Sequence, residues 1–215
     1  THTFFSDGEL SPIELIRRAH VAGYRAIGVT DHVSLANMEH MIREISRDCA
    51  LAEKHWGIKA LPGVELTHAP AAAIGECAKL AKSLGARIVV VHGETPVEPV
   101  EQGTNRAALM SSYVDILAHP GFITTEEAQI AVVNDIYLEI TARGGHSLTN
   151  GHVAKVGLAV GAKLIVNSDA HSPDNIMGAG FAAKVAQGAG IPLEALESVL
   201  LNHPLELLKR IETHS

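Results

Sequence analysis

The run RIVVVH, residues 87–92, decides the fold. Four branched apolar residues, Ile88 to Val91, stand together between Arg87 and His92. A run this short and this continuous is a strand buried on both faces, as in a parallel sheet covered by helices. Five further runs read the same way: 25–31 (RAIGVTD), 59–66 (KALPGVEL), 114–119 (VDILAH), 136–141 (IYLEIT) and 164–169 (LIVNSD). The stretch THTFFSDG, residues 1–8, reads as the end of a seventh strand whose start lies upstream.

The segments between these runs carry apolar residues at i, i+3 and i+4, the helical period. Ser11-Pro12 supplies an N-cap and a first-turn proline, with Glu14 at the capping-box position. Gly23, Gly57, Gly85 and Gly161 stand where each helix must stop before the next strand. The C-terminal stretch from Pro192 reads as two short helices broken at Pro204. Strand and helix alternate roughly every 22–32 residues, which implies βαβ units and a parallel sheet. No linker or low-complexity tract divides the chain, so residues 1–215 read as one domain.

Composition agrees. The chain is 47% apolar but only 4% aromatic, a core of Ala, Val, Ile and Leu. No apolar run approaches the roughly 20 residues of a membrane span. Cys49 and Cys77 fall in helical patterns and fit reduced thiols in a cytoplasmic protein. The net charge of −7, without a Lys/Arg stripe, speaks against a nucleic-acid footprint. Nothing in the sequence specifies an oligomeric state.

Thirteen histidines are the informative excess. Each strand delivers a histidine or carboxylate at its C-terminal end: Asp31-His32, Glu65, His92, His119, Glu139 and Asp169-Ala170-His171, with His2 and Asp7 in the opening stretch. In a closed barrel those ends form one ring, where barrel enzymes place their chemistry. An open doubly wound sheet would bring together only the strands at its switch point. The ligand-type residues therefore favour an α/β fold of the TIM-like barrel kind. Imidazole and carboxylate without thiolate suit Zn, Mn or Fe. Glu65 ends a buried run, where a carboxylate needs a cation. His20, His40, His55, His203 and His214 fall on helix surfaces or ends and read as structural; His68, His146 and His152 stay open.

The ordered series HT-x-x-SDG, TDH, GVE, VVHG, AHPG and SDAH resembles the PHP (polymerase and histidinol phosphatase) superfamily over essentially the whole chain. The resemblance implies a single distorted (β/α)7 TIM-like barrel of parallel strands, holding two to three divalent ions at its C-terminal edge. It implies one ion on His2, Glu65 and Asp169, together with a histidine one place before Thr1. A second would sit on Glu65, His92 and His119, and a third on Asp7, His32 and His171. Catalysis would fall to His171, Asp169 and Glu65, and substrate contacts to Arg143, Glu139 and Asn167. The implied activity is hydrolysis of a small phosphorylated metabolite such as histidinol phosphate or a nucleotide, by metal-activated water. The rivals are a phosphodiesterase or nuclease of the same family and a degenerate barrel that only binds metal.

Overall fold

A computed structural model describes residues 1–213; His214 lies outside the described residues. The elements alternate as the sequence predicts: α1 (Pro12–Val21), β1 (Ala26–Val29), β2 (His32–Val33), α2 (Met38–Trp56), β3 (Lys59–Leu66), α3 (Ile74–Ser83), β4 (Ile88–His92), α4 (Thr104–Leu109), β5 (Ile116–Ala118), α5 (Thr125–Val133), β6 (Tyr137–Thr141), α6 (Asn150–Val160), β7 (Leu164–Asn167), α7 (Ala179–Gly188) and α8 (His203–Thr213). All strand pairs are parallel, in the order β1-β3-β4-β5-β6-β7, with β2 paired to β3 beyond β1. The sheet curls into a half-barrel with helices outside, a distorted TIM-like barrel.

The predicted strand 25–31 ends early, at Val29, and a short separate strand, β2, follows it at His32–Val33, for a visible reason. The Thr30 amide leaves the sheet to donate to the Thr1 carbonyl at 2.8 Å. Thr1 to Thr3 are not a regular strand. They bridge the seam instead: His2 donates its amide to the Ala170 carbonyl just past β7, at 2.9 Å, while Thr1 bonds Gly28 and Thr30 beside β1. A cavity of about 400 Å³ runs down this seam, lined by Ile27, Leu61 and Ile165 below and by His2, Glu65 and Asp169 above.

The core has two layers. Outward-facing Val89, Val91, Leu117, Leu138 and Ile140 pack under the helices. Inward-facing Leu61, Ile88, Val90, Ile116, Tyr137 and Ile165 fill the barrel, and Leu207 and Ile211 of α8 join them. Charge pairs hold α8 across the N-terminal strand ends: Glu212 to Lys59 at 2.8 Å, Glu206 to Lys163 at 3.0 Å, and Arg210 to Asp115 and Asp135 at 3.1 Å each. The bottom of the barrel is thereby sealed, and the C-terminal edge is left for chemistry.

Pro204 does not break the C-terminal helix. It sits in the first turn of α8, where a missing N–H costs nothing, and a π-helical turn over Ser198–Asn202 leads into it. The four predicted stop glycines all take left-handed backbone, with φ from 70° to 102°. Ser11 caps α1 as expected, accepting from the Glu14 amide, but the Glu14 carboxylate turns away to pair with Arg18.

Candidate metal centre

Two of the non-glycine residues with positive φ lie at strand ends: His119 at 30° and Asp169 at 49°. His68, just past β3, is a third at 52°. Left-handed backbone is costly for such residues and persists where surrounding structure enforces it, commonly at functional sites. Here it turns the chain off the strand direction at the barrel mouth.

The opening stretch is latched by Asp31, which is fully buried. Its carboxylate accepts from the Thr3 amide at 2.7 Å, the Thr3 hydroxyl at 2.9 Å and the Ser6 hydroxyl at 2.7 Å. A Cβ on Gly8 would collide with the His2 carbonyl, so the turn after Asp7 requires glycine. These contacts fix His2 and Asp7 over the strand ends. From the sequence Asp31 is only one more acid at a strand end.

Three groups of ligand atoms result. His2, Glu65 and Asp169 are all buried and form the deepest. His2 Nε2 lies 3.2 Å from both Glu65 Oε2 and Asp169 Oδ1. His2, Asp7, His32 and His171 form the group nearest solvent, with Asp7 oxygens 3.5 Å from His32 Nε2 and 3.3 Å from His171 Nε2. His92, His119 and His146 form the third. Glu65 joins two of them: Oε2 faces His2, and Oε1 lies 3.8 Å from His119 Nε2. The structure thus brings together all eight metal-type residues named from the sequence and adds His146.

Divalent cations fit these residues. His2 Nδ1, Glu65 Oε1 and His119 Nε2 are buried without a hydrogen-bond partner among the described residues. Leaving three such atoms dry is expensive unless something electropositive meets them. The ring planes are crowded as well, with His2 stacked 4.2 Å from His32 and 4.1 Å from His171, close packing that disfavours a charge on both rings of a pair.

The expected substrate-contacting residues differ in placement. Glu139 is buried with both oxygens engaged: Oε2 accepts from the His119 amide at 3.0 Å and meets His119 Nδ1 at 2.9 Å, while Oε1 accepts from Asn167 Nδ2 at 2.8 Å. This carboxylate orients His119, in the manner of the outer partners that fix metal-ligating imidazoles. The Arg143 guanidinium has no hydrogen bond or ion pair among the described residues, whereas the Arg143 amide is held by Thr141. His152 is structural, bonding the Ile123 carbonyl at 2.8 Å, and His203 likewise bonds the Leu164 carbonyl.

A family model for the PHP domain matches residues 1–156. The chain belongs to the PHP domain family. An uncharacterized protein of Methanocaldococcus jannaschii is 51% identical over 212 residues, covering 98% of this chain and 97% of that one. A probable phosphatase of Thermoanaerobacter sp. (strain X514) is 26% identical over 227 residues, covering 97% and 91%. A 5'-3' exoribonuclease of Haemophilus influenzae is 33% identical over 66 residues, 31% of this chain and 21% of that one. The crystal structure of another uncharacterized protein shares the fold, with a TM-score of 0.57 at 10% identity over 91% of this chain and 66% of that one. Among the described residues no helix is long and apolar enough to cross a membrane.

Electrostatics separate these residues. Burial by itself would lower the His119 pKa, but the Glu139 hydrogen bond and charge, with Glu65 and Asp169, hold it raised to about 9. Burial, aided by the neighbouring His2 and His92, brings His32 down to about 4.

Two outcomes are expected. Glu139→Gln keeps the fold and lowers the affinity for one divalent ion roughly 10–100-fold, read by titration calorimetry. In metal-free protein, His119 binds its proton more tightly folded than unfolded. Its stabilisation is therefore complete below about pH 6.5 and is lost as pH rises through about 9. His32 has the opposite sign, and its destabilising effect grows as pH falls below about 6.5 toward about 4. Scanning calorimetry of metal-free protein should place the highest unfolding midpoint near neutral pH, with the alkaline decline removed by divalent ion. A midpoint that climbs steadily to pH 9 contradicts this.

Proposed function

We propose that this chain is a metal-dependent phosphomonoesterase of the cytoplasm, acting on a small soluble phosphorylated metabolite, with histidinol phosphate or a nucleoside monophosphate as the leading substrate types. Glu65 carries the reading: one buried carboxylate turns each oxygen toward a different group of imidazoles. Two to three Zn, Mn or Fe ions would be held by His2, Glu65 and Asp169, by Glu65, His92 and His119, and by Asp7, His32 and His171. Such ions supply Lewis acidity toward phosphate oxygens and a water acidified enough to attack phosphorus.

The chain's own groups do the rest. Glu65 and Asp169 fix His2 through Nε2 and hold negative charge where cations must gather. Glu139 keeps the His119 ring turned into the site and leaves Nε2 free to coordinate. Asn167 in turn holds Glu139, so its contribution is positioning rather than substrate contact. His171 donates through Nδ1 to the Asp169 carbonyl at 2.9 Å, which directs Nε2 toward Asp7 on the open side of the cluster. The Arg143 guanidinium, unpaired among the described residues, suits a phosphate, which it would grip as a fork.

The short likeness to an exoribonuclease supports a second reading, phosphodiester cleavage. The charge of −7 weighs against a long polyanionic substrate. Glu65→Gln decides for the metal-dependent hydrolase. Activity on small phosphomonoesters should fall by more than the roughly 10–100-fold that an outer partner costs, with the fold retained by circular dichroism. Undiminished turnover would remove the assignment, and faster turnover of single-stranded RNA than of phosphomonoesters would select the second reading.

A further inference from the structure

The loop between β4 and α4 carries a carboxylate that none of the family motifs contains. Glu98 lies at its tip, with its side chain 37% exposed. Its Oε2 is 3.2 Å from His92 Nε2 and 3.4 Å from His68 Nε2, and its Oε1 is 3.3 Å from His146 Nε2. Both ends of the loop are tied down. Glu94 accepts from the Gly103 and Asn105 amides at 2.9 Å each, and Glu101 accepts from the Ala71 amide at 2.8 Å. The reach of Glu98 into the site is therefore set by a built loop.

The tautomers decide what this contact is. His92 Nδ1 sits 3.1 Å from the Gly93 carbonyl, which can only accept, so that nitrogen carries the hydrogen. A neutral His92 then turns a bare Nε2 lone pair toward the Glu98 oxygen. Two acceptors at 3.2 Å repel unless a cation lies between them. Protonating the rings instead would pack like charges: the centroid of His119 is 4.4 Å from that of His92 and 4.3 Å from that of His146. His146 is buried, and its Nδ1 is held by the Thr95 hydroxyl at 2.9 Å, which leaves Nε2 facing Glu98.

We propose that His146 and Glu98 are ligands to the divalent ion held by His92, and that Glu98 is an exchangeable one, closing the resting site until an oxygen of the substrate phosphate displaces it. This rests on the metal-dependent reading above and deepens it. Catalytic metal sites keep one position for water or substrate, and a carboxylate at the exposed mouth is the ligand easiest to release. His68, on the same oxygen, steadies the carboxylate from outside.

The test uses the full chain loaded with Co²⁺, whose visible spectrum reports the ligand set, and inorganic phosphate as probe. In wild type, phosphate should change the spectrum as it replaces the carboxylate. Glu98→Gln should alter the resting spectrum and tighten phosphate binding by about tenfold or more, because the competing closed form is gone. His146→Ala should lose one Co²⁺ per chain or bind it at least about tenfold more weakly. Glu98→Gln with an unchanged spectrum and unchanged phosphate affinity overturns the proposal, even if His146→Ala fails to fold. If wild type binds Co²⁺ and hydrolyses phosphomonoesters while both variants behave like it, only this proposal falls. If wild type binds no Co²⁺, the metal-dependent reading falls with it.

Discussion

Everything at the barrel mouth depends on one constraint: the Glu65 carboxylate is buried at the end of a central strand and must be met by positive charge. Its two oxygens point to two sets of imidazoles, and one of them, like His119 Nε2, has no hydrogen-bond partner among the described residues. A carboxylate in this position is costly alone and favourable between cations. In the metal-free protein, proton sharing with His2 and His119 offsets part of that cost, which is why His2 and His119 are pushed up while Glu65 and Asp169 are pushed down.

The scaffold's work is to hold these groups at that separation. β3 and β4 carry Glu65 and His92 in register, with Glu65 opposite Val90. Asp31 pins the opening stretch, and Glu139 pins His119 from β6. Left-handed backbone at His119 and Asp169 turns two strand ends inward. At the opposite edge α8 seals the barrel with Leu207 and Ile211, so the polar cluster and the apolar plug share one interior without mixing.

Six of the strands, β1 and β3 to β7, were legible because each is an apolar run with a sharp terminator. The ligand-type residues were legible because a parallel barrel brings the C-terminal ends of its strands together. The seventh strand was misread: Thr1–Thr3 are a bridge across the seam, and the extra paired segment is β2, split from β1 where Thr30 turns to Thr1. α7 left little trace, since its Ala- and Gly-rich sequence buries only Ala186 fully. Glu98 and His146 were hidden for a deeper reason. They belong to segments up to 54 residues from their partners in sequence (His146 to His92), and only the fold of those segments shows that they face the site; the GGH of 144–146 was the one hint. Glu139 was found by position, but its engagement with His119 and Asn167 was not, because alternation along a strand gives a face and not a partner.

The most direct test of the metal centre is elemental analysis of the purified full chain after exhaustive dialysis against metal-free buffer. Two to three divalent transition ions per chain are expected, held by the groups around Glu65. None, or a single ion held no more tightly by a Glu65→Gln variant's parent than by the variant itself, would contradict the account at its root.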